Sequence, residues 1–297
     1  MGRYHAEKLA ARSDCKLVAV ADVDPARAQA IAVKHGCAAF GDYRQVLGLA
    51  DAAVISVPTE RHHEVAGVCL EAGLHVLVEK PIAVDLPQAE SLVRLAREKK
   101  RVLQVGHVER YNAAFRALAK RMQRPVFIEA ERLSGFKQRG ADVDVILDLM
   151  IHDLDLALSL ARGEVAQLSA CGFRVLTGDI DIANARIEFS DGCVANLSAS
   201  RVSQAPVRKL RVFQTDVYVS ADLQAGKLRY VKQSGGTIEE QEESHAGGDA
   251  LAAQTDVFIN VIQGNPMPGV DGESGRNALK LALEVGSLVR ERLKRFG

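Results

Sequence analysis

Between Lys16 and Gly106, short apolar runs alternate with helical stretches, and each run stops at a residue that ends a strand. Lys16-Leu-Val-Ala-Val-Ala21 stops at Asp22, and Ala52-Ala-Val-Ile-Ser-Val57 at Pro58. His75-Val-Leu-Val78 stops at Glu79-Lys80-Pro81, and Val102-Leu-Gln-Val105 at Gly106. Helices are predicted over 3–12, 25–35, 60–72 and 86–100, with a short one capped by Asp42. Pro25 suits a helix start and Gly36 a helix end. This alternation predicts βαβ units and a Rossmann-like, doubly wound parallel sheet. Ligands of such sheets bind outside the carboxyl ends of the strands. Glu79 and Lys80 therefore stand where chemistry is done; the plainer alternative is a strand end capped by a surface salt bridge.

The pattern changes after residue 124. Pro125–Leu133 alternates like a strand, 146–161 reads as one helix, and strand-like runs with turn signals follow: Ala185–Phe189, Cys193–Ser200, Leu210–Phe213, Val217–Ser220 and Lys227–Val231. Asp191-Gly192 marks a hairpin. The glycines at 234–236 and the acidic run at 239–243 read as a solvated hairpin tip or loop. Helices at 249–262 and from Ser274 close the chain. The expected organisation is a dinucleotide-binding domain over 1–120 and an α+β domain over 121–297. The second carries a large, mostly antiparallel open sheet for substrate binding and oligomerisation, and its last helices pack back on the first.

Lys plus Arg and Asp plus Glu number 38 each, so the formal charge is zero and no nucleic-acid footprint or basic membrane face is indicated. The 297 residues contain no apolar run of membrane-spanning length and no apolar core of a leader near the start. The five cysteines are scattered and never form Cys-x-x-Cys, which points to reduced thiols in a cytoplasm rather than to a zinc site.

A dinucleotide fold opens with a strand and Gly-x-Gly-x-x-Gly. Here Gly2 is placed as the third glycine, and Asp22 follows by twenty residues, the offset of a ribose-binding carboxylate. The first strand and first two glycines are not among these residues. Either Met1 is an internal methionine of a longer chain, which we expect, or the protein is shortened at its amino end.

Four motifs stand out: Gly2 with the helix after it (Arg3, Tyr4), Pro58-Thr59-Glu-Arg-His62, Ala72-Gly-Leu-His-Val-Leu-Val-Glu79-Lys80-Pro81, and Asp148-Leu-Met-Ile-His152. Together they resemble the glucose–fructose oxidoreductase / inositol dehydrogenase family (Gfo/Idh/MocA). Met150 stands where many members carry glycine. Val105-Gly-His-Val-Glu-Arg-Tyr-Asn112 and Ile146–Asp155 look most like the bacterial branch that oxidises the 3-hydroxyl of UDP-N-acetylglucosamine. The resemblance implies an NAD-dependent dehydrogenase that turns a ring hydroxyl of a sugar into a ketone. Inositol or free-sugar oxidation is one alternative, and a non-catalytic sugar- or dinucleotide-sensing protein another.

The implied cofactor residues are Gly2, Arg3, Tyr4, Asp22, Pro58, Thr59, His62, Glu79, Lys80 and Pro81. Asp22 would bind the adenosine ribose and repel a 2′-phosphate, which selects NAD; its plain reading is a cap before Pro25. His62 would line the nicotinamide side, or merely open a helix. Lys80 would receive the proton of the reacting hydroxyl, with Glu79 orienting it. His152 is the second acid–base candidate, and Asp148, four residues earlier, shares its helix face; Asp155 continues that face as a supporting partner. The choice of base between Lys80 and His152 stays open. His107, Arg110 and Tyr111 follow a strand end and would meet the substrate together with Lys80, Asp148 and His152. Lys137 and Arg139 could meet a diphosphate, although an exposed basic loop is the commoner explanation. No metal is expected. An open antiparallel sheet needs cover for one face, and the family resemblance implies a homodimer or homotetramer joined through it.

Overall fold

In the computed structural model, which describes residues 1–136 and 143–296, the chain divides into two compact units. One comprises Met1–Val108 with Leu251–Arg276, the other Glu109–Ala250 with Asn277–Gly297. The division thus falls earlier than the expected boundary at residue 120, and α7 (Ala250–Ile262) belongs almost wholly to the first unit.

The first unit opens with α1 (Gly2–Ala10), β1 (Ala19–Ala21), α2 (Pro25–His35), β2 (Ala38–Phe40) and β3 (Ala52–Ile55). It continues with α3 (His62–Glu71), β4 (His75–Glu79), α4 (Leu86–Glu98) and β5 (Leu103–Gly106). Local chemistry sets these limits. Asp24 accepts from the N–H groups of Ala26 and Arg27 at the start of α2, Gly36 closes that helix at φ +66°, and Asp85 caps α4 through Gln88 N–H. Val76, Leu77 and Val78 on β4 are fully buried, the continuous apolar run of a strand covered on both faces.

All strand pairs in this unit are parallel, as expected, but the sheet is in two pieces. β1 pairs with β2 alone, while β3, β4 and β5 form a separate three-stranded sheet in that order. Among the described residues no strand bridges β1 and β3, so each keeps an edge without a ladder partner.

The second unit contains α5 (Ala113–Arg121), β6 (Phe127–Leu133), α6 (Ile151–Leu160), β7 (Val165–Phe173), β8 (Ile182–Phe189) and β9 (Val194–Ser200). Then come β10 (Val207–Gln214), β11 (Val217–Asp222), β12 (Lys227–Ser234), β13 (Thr237–Ser244) and, after α7, the helix α8 (Gly272–Phe296). The strands form one eight-stranded sheet in the order β13-β12-β11-β10-β6-β9-β8-β7, antiparallel except where β6 runs parallel to β9. Alternate residues such as Ile128, Ala185, Leu197, Val212 and Val219 enter a core with Phe115 and Leu118 of α5, Ile151 and Leu154 of α6, and Leu281 and Val285 of α8. The other face is half-exposed and carries Phe127, Phe213 and Tyr218, whose rings lie 5.7 and 4.7 Å apart in succession.

Two expectations are corrected here. The acidic run at 239–243 is the outer strand β13, paired along its length with β12, and only Gly235 and Gly236 form the turn. It escapes an alternation test because nearly every residue on it is exposed. The helix at 146–161 is also not uniform: Ile146–Met150 is a π-helical turn that leads into α6.

Candidate active site

The first unit gathers its candidate residues at the carboxyl ends of its strands. α1 begins at Gly2 with no side-chain cap and no acidic residue in its first turn, so its leading N–H groups are donors toward an anion. A Cβ on Gly2 would lie 2.8 Å from Ser56 Oγ, so glycine lets this helix start close against the segment leaving β3. Arg3 donates to the Tyr4 hydroxyl at 2.7 Å, and both are exposed. Asp22 follows β1 directly and accepts Asp24 N–H at 2.9 Å. Pro58 is exposed and Thr59 half-buried, at the head of a 3-10 turn. An uncapped helix start and an acidic residue at a strand end suit a dinucleotide's pyrophosphate and ribose.

Glu79-Lys80-Pro81 leaves β4 through a cis Lys80–Pro81 peptide. The Glu79 carboxylate lies against Gly106, where a Cβ would come 2.9 Å from Oε2. Its other oxygen meets Nε2 of His5 at 2.7 Å. His5, on α1, is 2% exposed and was not among the expected site residues. His62, expected on the nicotinamide side, has both ring nitrogens on main-chain oxygens: Nδ1 lies 2.8 Å from Pro81 O and Nε2 3.0 Å from Val57 O. The ring is 1% exposed and offers no further polar atom. Lys80 is half-buried, and His107 is buried.

In the second unit, Asp148 lies on the π turn and His152 in the first turn of α6, both half-buried. Asp144 starts this segment by accepting the N–H groups of Ile146 and Leu147. The carboxylates on either side of His152's next turn are clamped. Asp153 takes two hydrogen bonds from Arg132, and Arg132 Nη1 donates to Glu109 at 2.9 Å. All three are buried. Burial pushes the Asp153 carboxyl up, while the guanidinium pulls it back toward ionisation. Asp155 accepts from Arg110 Nε at 3.0 Å, so part of the Arg110 fork, expected on substrate, is spent within the unit. Tyr111 is buried. Lys137 and Arg139 lie outside the described residues. Among the described residues no three His, Cys, Asp or Glu side chains gather as a metal site, and no helix is long and apolar enough to cross a membrane.

His5, Glu109 and Arg132 adjoin the candidate residues and were not among those expected. The only sequence signal for His5 was its position one turn beyond Gly2. Nothing near Arg132 marks it, because its partners come from other elements.

A split parallel sheet with an anion-seeking helix start and a Lys at a strand end, followed by a large open sheet, defines a dinucleotide-binding oxidoreductase of two-unit design. A family profile described as "Oxidoreductase family, NAD-binding Rossmann fold" matches residues 1–107, and one described as "GFO/IDH/MocA C-terminal domain" matches residues 103–219. The chain belongs to the Gfo/Idh/MocA oxidoreductase family. It is 39% identical over 302 residues to a UDP-N-acetylglucosamine 3-dehydrogenase from Acidithiobacillus ferrooxidans, covering 99% of this chain and 96% of that protein. A solved structure of the enzyme of that name from the same organism superposes with a TM-score of 0.92, at 39% identity, over 97% of this chain and 94% of that one. A scyllo-inositol 2-dehydrogenase (NAD(+)) from Bacillus subtilis is 30% identical over 224 residues, 68% of this chain and 65% of that protein.

Proposed function

We propose that this chain oxidises a ring hydroxyl of a nucleotide-activated sugar to a ketone, with C3 of UDP-N-acetylglucosamine as the substrate position and NAD as the acceptor. The observation that carries the reading is the similarity to the Acidithiobacillus enzyme along nearly the whole of both chains, which includes both candidate stretches.

When bound, NAD supplies the hydride acceptor. The chain's own residues do the rest. The first turn of α1 would hold the pyrophosphate, and Asp22 the adenosine ribose; its charge would repel a 2′-phosphate and so favour NAD over NADP. Lys80 receives the hydroxyl proton. At the end of β4 it is half-buried, and a bound cofactor's cationic ring nearby would favour the neutral amine that a base requires. His152 is the alternative base or a relay, with Asp148 toward the sugar. The half-exposed aromatic face of the eight-stranded sheet supports pairing of two copies, and the five free cysteines support a reducing, cytoplasmic setting.

The test is NADH formation with UDP-N-acetylglucosamine, N-acetylglucosamine and myo-inositol in parallel. Turnover confined to the nucleotide sugar supports the reading, whereas turnover of myo-inositol alone replaces it with polyol oxidation. Lys80→Ala should keep NADH binding and lose about 10²–10⁴-fold in kcat. Near-normal turnover would remove Lys80 as the base.

A further inference from the structure

We propose that His5 and His62 are positioning residues that brace the Lys80 turn from its two sides; the inference rests on the reading of Lys80 as the proton acceptor. Lys80 has one neighbour fixed through a side chain and the other through a carbonyl. Before it, Glu79 is held by His5, with Nε2 to Oε1 at 2.7 Å and the ring 2% exposed. After it, Pro81 O meets His62 Nδ1 at 2.8 Å, in a ring 1% exposed. Two buried histidines thus end on consecutive sides of one lysine. Both rings are almost wholly buried, so the contacts meet little competition from solvent, and such links are stiff.

The two braces anchor to different parts of the unit. His5 lies in α1, one turn from the helix start that would take the pyrophosphate, so the dinucleotide's helix and the catalytic turn are joined by one hydrogen bond. His62 Nε2 reaches Val57 O at 3.0 Å, which ties the turn after β4 to the turn after β3. Both oxygens facing His62 accept only. A neutral imidazole has one N–H, and with that proton on Nδ1 the ring donates to Pro81 O while Nε2 packs against Val57 O. Glu79 also sits close against Gly106: a Cβ there would lie 2.9 Å from its Oε2 and 3.0 Å from its Cα, so the glycine keeps the space the carboxylate occupies. Displacing a reacting group by about 1 Å can cost on the order of 10²-fold in rate. Residues that fix Lys80 therefore set kcat without touching substrate.

The experiment compares His5→Leu, His5→Gln and His5→Asn in the full chain. The glutamine amide can donate to Glu79 from about the place of Nε2; the asparagine amide is too short to reach. Lysines are reductively methylated with 13C, and the Lys80 signal, identified by its loss in Lys80→Ala, is read at one pH without substrate or cofactor. NADH affinity and the kcat–KM split are measured beside it. The expected result is a displaced Lys80 signal in His5→Leu and His5→Asn, with kcat down about 10²-fold and NADH affinity and KM little changed. His5→Gln should restore most of both. If His5→Leu does not fold, the Gln–Asn pair decides. An unmoved Lys80 signal and equal kcat in these two variants overturn the His5 brace. For His62, a 15N shift that puts the N–H on Nδ1 supports the Pro81 contact, and an unprotonated Nδ1 overturns it. If Lys80→Ala turns over normally while the His5 variants still displace the Lys80 signal, the brace stands and the base assignment falls.

Discussion

Arg132 grips Asp153 with two parallel hydrogen bonds, Nε to Oδ2 at 2.8 Å and Nη2 to Oδ1 at 2.9 Å, inside the core of the second unit. The third arm of the guanidinium holds Glu109. One cation from β6 thus ties the residue after His152 to the segment that carries Arg110. Charges taken out of water are tolerable only when such geometry is complete.

Removing Arg132 leaves Asp153 buried without its hydrogen-bonded cation and Glu109 with Arg208 alone, at 3.4 Å. Arg132→Met should destabilise the unit by about 3–5 kcal/mol, measured as a lower urea midpoint. The triple change Arg132→Met, Asp153→Leu, Glu109→Gln should recover most of that loss. An unchanged midpoint in Arg132→Met would mean that the triad contributes nothing to stability.

Gly106→Ala places a methyl within 3.1 Å of the Glu79 carboxyl carbon and closer still to Oε2. The carboxylate or the strand must shift, at a cost of about 1–3 kcal/mol. Thermal unfolding should start earlier, and turnover should fall more than NADH affinity does. A variant with wild-type stability and turnover would show that Glu79 has slack.

Asp181 is fully buried; burial works against its charge, but the N–H groups of Val175, Thr177 and Leu176 and the Thr177 hydroxyl outweigh it and hold the carboxyl at about 2. The folded value lies below the ordinary 3.8, so the carboxylate's contribution to stability is complete above that value and is lost as pH falls toward 2. Asp181→Asn should lower stability near neutrality and flatten its decline between about pH 4 and pH 2. Urea midpoints across that window check it; parallel curves for the two proteins would contradict it.

Asp22→Ser should narrow the preference for NADH over NADPH by about tenfold, the effect of removing roughly 1.4 kcal/mol of repulsion. Fluorescence titration with both nucleotides measures this. An unchanged ratio would place the discriminating charge elsewhere.

The ends of β3 and β4 were legible because a proline that cannot continue a ladder follows each, Pro58 and Pro81, whereas Gly106, expected to stop β5, is its last paired residue. That mark placed Lys80 at a strand end, and the family resemblance supplied its expected role. Other features were hidden. α5 lies just before the composition changes, and its short apolar face passed unread. The π turn at 146–150 depends on which carbonyl each N–H chooses, and side-chain spacing does not report that choice. His5 and Glu79 are 74 positions apart, and Arg132 and Asp153 are 21 apart. Such pairs exist only once strands and helices are assembled. The division of the parallel sheet was foreseeable only as a lack of glycines and a strand; that β1 and β3 each stand with an open edge is a fact of the fold.

The outer strand β13 presents Glu239, Glu240, Glu242 and Glu243 along the rim of the eight-stranded sheet. Arg229 and Arg121 hold two of them from within. A strand from another molecule that sought to extend the sheet there would have to bring its backbone past this row of carboxylates, and a second copy of the same rim would bring four more. Charged outer strands of this kind stop sheets from growing end on end. The molecule therefore carries its own guard against fibre growth and strand exchange on that side.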